Sequence, residues 1–303
     1  MRYFLVPLAG LLLLGVMPIH AGEKTTKLPK GITLEQQPPD TKLAKIVFLA
    51  GSNFYKPGEH EYIGGCALLM DLVKQTPGVF PVLALDWPKD PATFKDARAI
   101  VFFLDGGDKH PILKGDRLKQ IDALAQSAGI VMLHQGVDVP KDRGPTMRSW
   151  VGAAFEKGPS QRAHWISEFK QFPEHPITRG VKPFKIDDGW LYKLRFVDGM
   201  QGVTPLLRTV SPKATNAKLD DGAIVSWAFE RKDKGRGFAF TGAHLHASFA
   251  EEGYRRFLTN GILWSAHIEI PAAGAPVALT ADQLNGYLET RGKVKGSSTP
   301  ASY

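Results

Sequence analysis

Short, wholly apolar segments alternating with helix-spaced ones constrain this chain more than any other feature. Residues 45–50 (KIVFLA), 80–85 (FPVLAL), 99–104 (AIVFFL) and 130–133 (IVML) hold almost no polar side chain. A strand wetted on one face alternates polar and apolar residues, so strands apolar throughout are covered on both faces. Between them Ile63, Ala67 and Met70, with Leu69 and Val73, recur at helical spacing, and so do Leu118, Ile121, Leu124, Ala125 and Ala128. Strand, helix, strand, helix in this pattern specifies an α/β fold: a mostly parallel sheet with helices on both faces. From about residue 160 the pattern loosens. Shorter strands are predicted at 165–169, 206–210, 223–229 and 238–241, with a hairpin turn around 232–237. A last helix over 252–266 takes its apolar side from Tyr254, Phe257, Leu258, Gly261, Ile262 and Trp264. This half is read as completing the same sheet, with an insertion near 158–222. One domain then covers 44–270, and a hydrophobic fraction of 43% supplies its core.

The ends read differently. Arg2 is followed by an apolar run over 5–17, too short to span a bilayer, and by the small residue Ala21. That is the layout of a signal peptide over 1–21 cut after Ala21, and it predicts a secreted or periplasmic protein with no membrane span after cleavage. Residues 22–43, rich in Lys, Thr, Pro and Gln, read as a flexible lead-in. Residues 271–303 read as a loose tail with a short helix over 281–291. The single cysteine, Cys66, excludes a disulfide scaffold, and its place in a helical apolar pattern makes it a packing residue. The net charge of +8 is dispersed, and its densest run, 231–236, is a solvated turn. With no basic stripe among aromatics, no nucleic-acid partner is expected. The Gly51 and Gly106–Gly107 turns lack the spacing of a phosphate loop or dinucleotide fingerprint, so no nucleotide cofactor is expected.

In open α/β sheets ligands bind beyond the carboxyl ends of the strands. Of nine histidines, His60 follows the first strand, His134 the fourth, and His244 and His246 the last. Neutral imidazoles bind divalent metals, and two histidines two residues apart on extended backbone share a face. Without a metal the same rings move protons near neutral pH. The metal-ligating candidates are therefore His60, His134, His244 and His246. The catalytic candidates are His134 and His244, with Glu61 or Asp188 as proton carrier. A histidine after a strand also serves as a plain loop partner, and His110, His164, His175 and His267 are weighed mainly that way. Trp150, Trp165, Trp190, Tyr55 and Tyr62 offer ring faces to a sugar, or simply core packing.

At these residues the chain resembles the ThuA-like (trehalose utilisation) family. Four stretches carry the likeness: KIVFLAGSNFYKPGEHEY at 45–62; ARAIVFFLDGGD with the following helix and GIVMLHQG at 97–136; EHPITRGVKPFKIDDGWLY at 174–192; and GRGFAFTGAHLHASFAEEGYRRFLTNGILWSA at 235–266. The resemblance implies a flavodoxin-like sheet similar to class I glutamine amidotransferases, with a pocket at its edge. An amidotransferase would place a Cys nucleophile on a tight elbow where this chain has His134, so no thioester forms there. It also implies that His134 and His244 face each other with His60 nearby. Asp187 and Asp188 stand where the family usually shows an Asp-Glu pair.

Three readings follow. The first is an extracytoplasmic protein of disaccharide or keto-sugar catabolism that acts on or binds a saccharide through a His-rich pocket, with a divalent metal, zinc foremost, as its cofactor. The second is a non-catalytic module on the same fold that captures a saccharide or a partner protein. The third is a hydrolase using Cys66, which requires that thiol in the pocket.

Overall fold

The computed structural model describes residues 28–52, 55–212 and 222–288. The predicted signal peptide lies outside the described residues, as does the tail beyond Leu288.

A seven-stranded sheet forms the centre. Its strands are β1 (Ala44–Ala50), β2 (Val79–Leu85), β3 (Ala97–Phe103), β4 (Gly129–Leu133), β9 (Val203–Thr209), β10 (Ala223–Glu230) and β11 (Arg236–Phe240), in the order β2-β1-β3-β4-β11-β10-β9. The first five in that order are parallel, while β10 pairs antiparallel with both β11 and the edge strand β9. This is the flavodoxin-like order, whose ligands sit where the winding reverses, between β1 and β3.

The parallel strands are mostly apolar because both faces are covered. Ile46, Phe48, Val101 and Leu133 pack under α1 (Tyr62–Lys74) and α4 (Glu252–Ser265). Val47, Leu49, Phe102 and Met132 pack under α2 (Arg117–Ala125) and α3 (Gly144–Val151). Each such side chain, withdrawn from water, stabilises the fold by about 1.5–3 kcal/mol. Among the described residues no helix is long and apolar enough to cross a membrane.

The insertion is smaller than the sequence suggests. The strand at Val203–Thr209 joins the central sheet, leaving two small sheets apart from it. One pairs β5 (Ala153–Ala154) with β8 (Arg195–Phe196). The other is an antiparallel pair, β6 (Gln161–Phe169) and β7 (Phe184–Tyr192), in which Trp165 lies opposite Asp188 and His164 opposite Gly189. Both flanking segments also pack further than their composition implies. Leu34 bridges to Leu83 and the Glu35 N–H donates to the Leu83 carbonyl, covering the open edge of β2. Ala275 and Val277 are buried, and the Ala275 N–H donates to Asn260 of α4. A short helix, α5 (Ala281–Gly286), follows with a capping box from Thr280 to Gln283.

Candidate metal centre

Four strand ends meet at one edge of the sheet. β1 leads to His60, β3 to Asp105, β4 to His134 and β11 to His244. His60, His134 and His244 are each 1–4% exposed, and one ring nitrogen of each lies within 4.8 Å of the others'. Ring centroids are 4.7 Å apart for His60 and His134, 4.2 Å for His60 and His244, and 5.3 Å for His134 and His244.

The backbone is bent to achieve this. His60 (φ 50°), His134 (φ 52°) and Ala243 (φ 72°) all take left-handed conformations, each costing a non-glycine residue about 1–2 kcal/mol. The surrounding contacts over-determine them. The His60 N–H donates to the His244 carbonyl at 2.8 Å, tying the loop after β1 to the loop after β11. Asp188, on β7 and fully buried, accepts from the N–H groups of Gly189 (2.8 Å), Ala243 (3.0 Å), His244 (2.9 Å) and Leu245 (3.2 Å). Burial pushes its carboxyl up to about 6 against the pull of those donors. Gly189 lies beneath the cluster: a Cβ there would come within 3.0 Å of both the His164 and His244 rings. Gly106 serves close approach too, since a Cβ would meet the Gln135 carbonyl at 2.3 Å, so this glycine packs two loops together rather than cradling an anion.

Hydrogen-bond partners assign the tautomers of two rings. Asp105 accepts from the hydroxyls of Tyr55 (2.8 Å) and Tyr62 (2.9 Å). With its proton committed there, the Tyr62 oxygen accepts from Nδ1–H of His60 at 2.8 Å. His134 donates its own Nδ1–H to the Thr241 carbonyl at 2.9 Å, an atom that only accepts. Each ring thereby keeps its lone pair on Nε2. Outer-shell acceptors of this kind accompany metal-ligating histidines, fixing the ring and raising its basicity.

The electrostatics agree. Burial, then the neighbouring imidazoles, holds all three rings neutral. His134 is lowered to about 3, first by burial and then by His244, and His244 to about 4, by burial and His164; His60 is held lower still. Neutral imidazole is the ligating form. Three such ligands with an open side suit zinc or a similar first-row divalent ion, and the cleft they line narrows to a cavity of about 30 Å³, room for one small ligand.

Not every predicted site residue joins the cluster. His246 begins a single 3-10 turn, so the two-residue periodicity that would align it with His244 breaks; its Nε2 pairs with the Leu284 carbonyl at 3.0 Å. Glu61 accepts from the Gly58 N–H at 2.6 Å and is 2% exposed, a loop anchor rather than a cleft carboxylate. Asp188 is likewise spent on backbone donors, and neither residue lines the cleft. Cys66 is sealed in the core at 0% exposure, which removes the hydrolase reading that needed its thiol. Trp150 and Trp165 are core residues, while Trp190, buried and donating its indole N–H to the Trp165 carbonyl, also lines the cleft. Tyr55 stacks on His60 at 3.8 Å. Reasoning from sequence gave no role to Arg162, which lines the cleft beside His164, nor to its partner Asp138. The signal was present: in RAHWISEF, Arg162 and His164 are two apart on a strand whose other face is buried at Trp165, Ser167 and Phe169.

Comparison with known proteins adds a lineage. Solved structures similar to this chain include the following two. One is a ThuA-like protein from Bacteroides uniformis, 15% identical, covering 76% of this chain and 94% of that one, with a TM-score of 0.49. The other is PurLQS from Thermotoga maritima, 12% identical, covering 74% and 98%, with a TM-score of 0.40. No curated protein sequence matches. The family model described as "ThuA: Trehalose utilisation" matches residues 54–265, which include His60, His134 and His244. The chain belongs to the ThuA, or trehalose utilisation, family.

Proposed function

We propose that this protein is an exported, saccharide-handling member of its family whose cleft holds a divalent metal ion, zinc foremost, on His60, His134 and His244. The observation that carries the reading is the convergence of three buried, neutral imidazoles, two with their Nδ1 protons committed to outer acceptors. Such an ion supplies Lewis acidity, polarising a sugar carbonyl or acidifying a water. The chain's own residues do the rest: Tyr62 and Thr241 orient the ligands, Asp188 anchors the loop bearing His244, and the narrow cleft limits water. Family membership supports the saccharide, and the apolar run after Arg2 supports export.

Elemental analysis tests the metal. The purified protein should carry about one zinc per chain, and a His134→Ala His244→Ala variant almost none. Equal, negligible metal in both after zinc loading and desalting removes the metal. In the same wild-type preparation from an exporting host, an intact mass starting at Gly22 supports export, and an uncut chain argues against it.

A further inference from the structure

One wall of the cleft is β6, which brings Arg162 and His164 to it. Among the described residues that line the cleft, Arg162 alone bears a formal charge and none is a carboxylate. Its guanidinium is held in place rather than free to sweep the surface. Nη2 pairs with the carboxylate of Asp138, itself 5% exposed, and the Phe155 ring lies 4.7 Å from the guanidinium carbon. Asp138 is fixed in turn, its carbonyl accepting from the Gly107 N–H at 2.8 Å. The Arg162 side chain is nonetheless 38% exposed, and among the described residues Asp138 is its one hydrogen-bond partner. A guanidinium carries five N–H donors, so most of this planar fork remains available. A fork of that shape matches a carboxylate with two parallel hydrogen bonds.

We propose that the cleft recognises a sugar acid, seating its carboxylate between Arg162 and the imidazole cluster while the sugar ring stays at the mouth. Size supports the division: the enclosed part of the cleft, about 30 Å³, is far too small for a pyranose, so only a small group enters it. Charge supports it too. The cleft presents one fixed cation, the guanidinium of Arg162 held on Asp138. A bound divalent ion would strengthen the preference for an anion. The inference rests on the reading that this cleft handles a saccharide, and it adds the chemical class.

Calorimetric titration separates the two. Glucuronate, methyl glucoside and acetate are titrated into wild-type protein, zinc-loaded and metal-free. The same ligands are titrated into an Arg162→Gln Asp138→Asn variant, changed at both positions so that no buried carboxylate is left unpaired, and into Arg162→Lys. Zinc affinity and circular dichroism of each variant report whether the cluster and fold persist. Wild type should bind glucuronate about tenfold to a hundredfold more tightly than methyl glucoside or acetate. The double variant should lose that preference while keeping its zinc affinity. Lysine, with charge but no fork, should restore only part of it. Glucuronate that fails to bind, binds no better than methyl glucoside, or keeps its advantage in the double variant overturns the proposal even if zinc binds normally. Acetate matching glucuronate overturns the sugar-acid class. An Arg162-dependent preference in protein that takes up no zinc upholds it while the metal reading falls.

Discussion

Tyr62 bears on the histidine cluster through its hydroxyl. That group gives its proton to Asp105 and receives one from His60, so phenylalanine at 62 would strand Nδ1–H of His60 and free the ring to change tautomer. The ring itself stays packed against Phe103 in either case. Tyr62→Phe should therefore keep the fold and lower zinc affinity by about 10–100-fold, the usual cost of losing an outer-shell partner. Competition against a chromophoric chelator measures this, and an unchanged affinity would show that His60 needs no such support. At this scale the sequence was legible where position alone decides. His60, His134 and His244 stand at strand ends, and a parallel sheet collects its strand ends at one rim. The Tyr62–Asp105 bond was not legible, because it joins residues 43 apart whose meeting depends on rotamers. His246 was misread because the rule for extended backbone was applied where the chain had begun to coil.

The loop carrying His244 makes no sheet ladder of its own and borrows its order from β7. Asp188 takes the N–H groups of three consecutive loop residues and of its own neighbour Gly189. Removing the carboxylate leaves those donors buried without an acceptor, each costing about 1–3 kcal/mol. Asp188→Ala should thus lose at least about 3 kcal/mol in denaturant unfolding and weaken zinc binding as His244 drifts. Asp188→Asn, which keeps one oxygen, should recover part of both. A loss within about 0.5 kcal/mol for the alanine variant would mean the loop is held by something else. This dependence explains which elements the sequence revealed. The strands β1, β3 and β4 announce themselves because each holds a run of four or more buried apolar residues. β7 does not: it buries Asp188 and Gly189 beside Trp190, and a strand whose inner face holds a carboxylate reads as loop. Helix α3 escaped for a similar reason, having Gly144 and Pro145 in its first turn and only Met147, Trp150 and Val151 to mark its buried side.

Across the whole molecule, the notable feature is how many imidazoles are buried uncharged. Beyond the cluster, His110 is 1% exposed, with Nε2 on the Gly136 carbonyl and Nδ1 accepting from the Ile112 N–H. His175 accepts from the Ile177 N–H in the same way. Burial lowers both from 6.5 to about 4. The unfolded chain binds a proton at each of these rings below pH 6.5 while the folded chain stays neutral until about 4. The unfolded state therefore holds more protons in that window, and stability falls as pH falls through it. Asp138 and Asp188, pushed up to about 6 by burial, act in the opposite sense, since the folded state takes up their protons first. Seven lowered imidazoles in the metal-free protein, His246 and His267 among them, outnumber the two raised aspartates. Metal-free protein should accordingly lose stability steadily from pH 6.5 to pH 4, each imidazole contributing a slope of about 1.4 kcal/mol per pH unit. His110 isolates one such contribution away from the metal cluster. Whatever the absolute stability of His110→Gln, its pH slope between 6 and 4.5 should be shallower by about that single increment. Urea unfolding at a series of pH values reads the slope directly. Parallel curves for the two proteins, or a wild type that gains stability on acidification, would show that the buried histidines do not set the acid response of this fold.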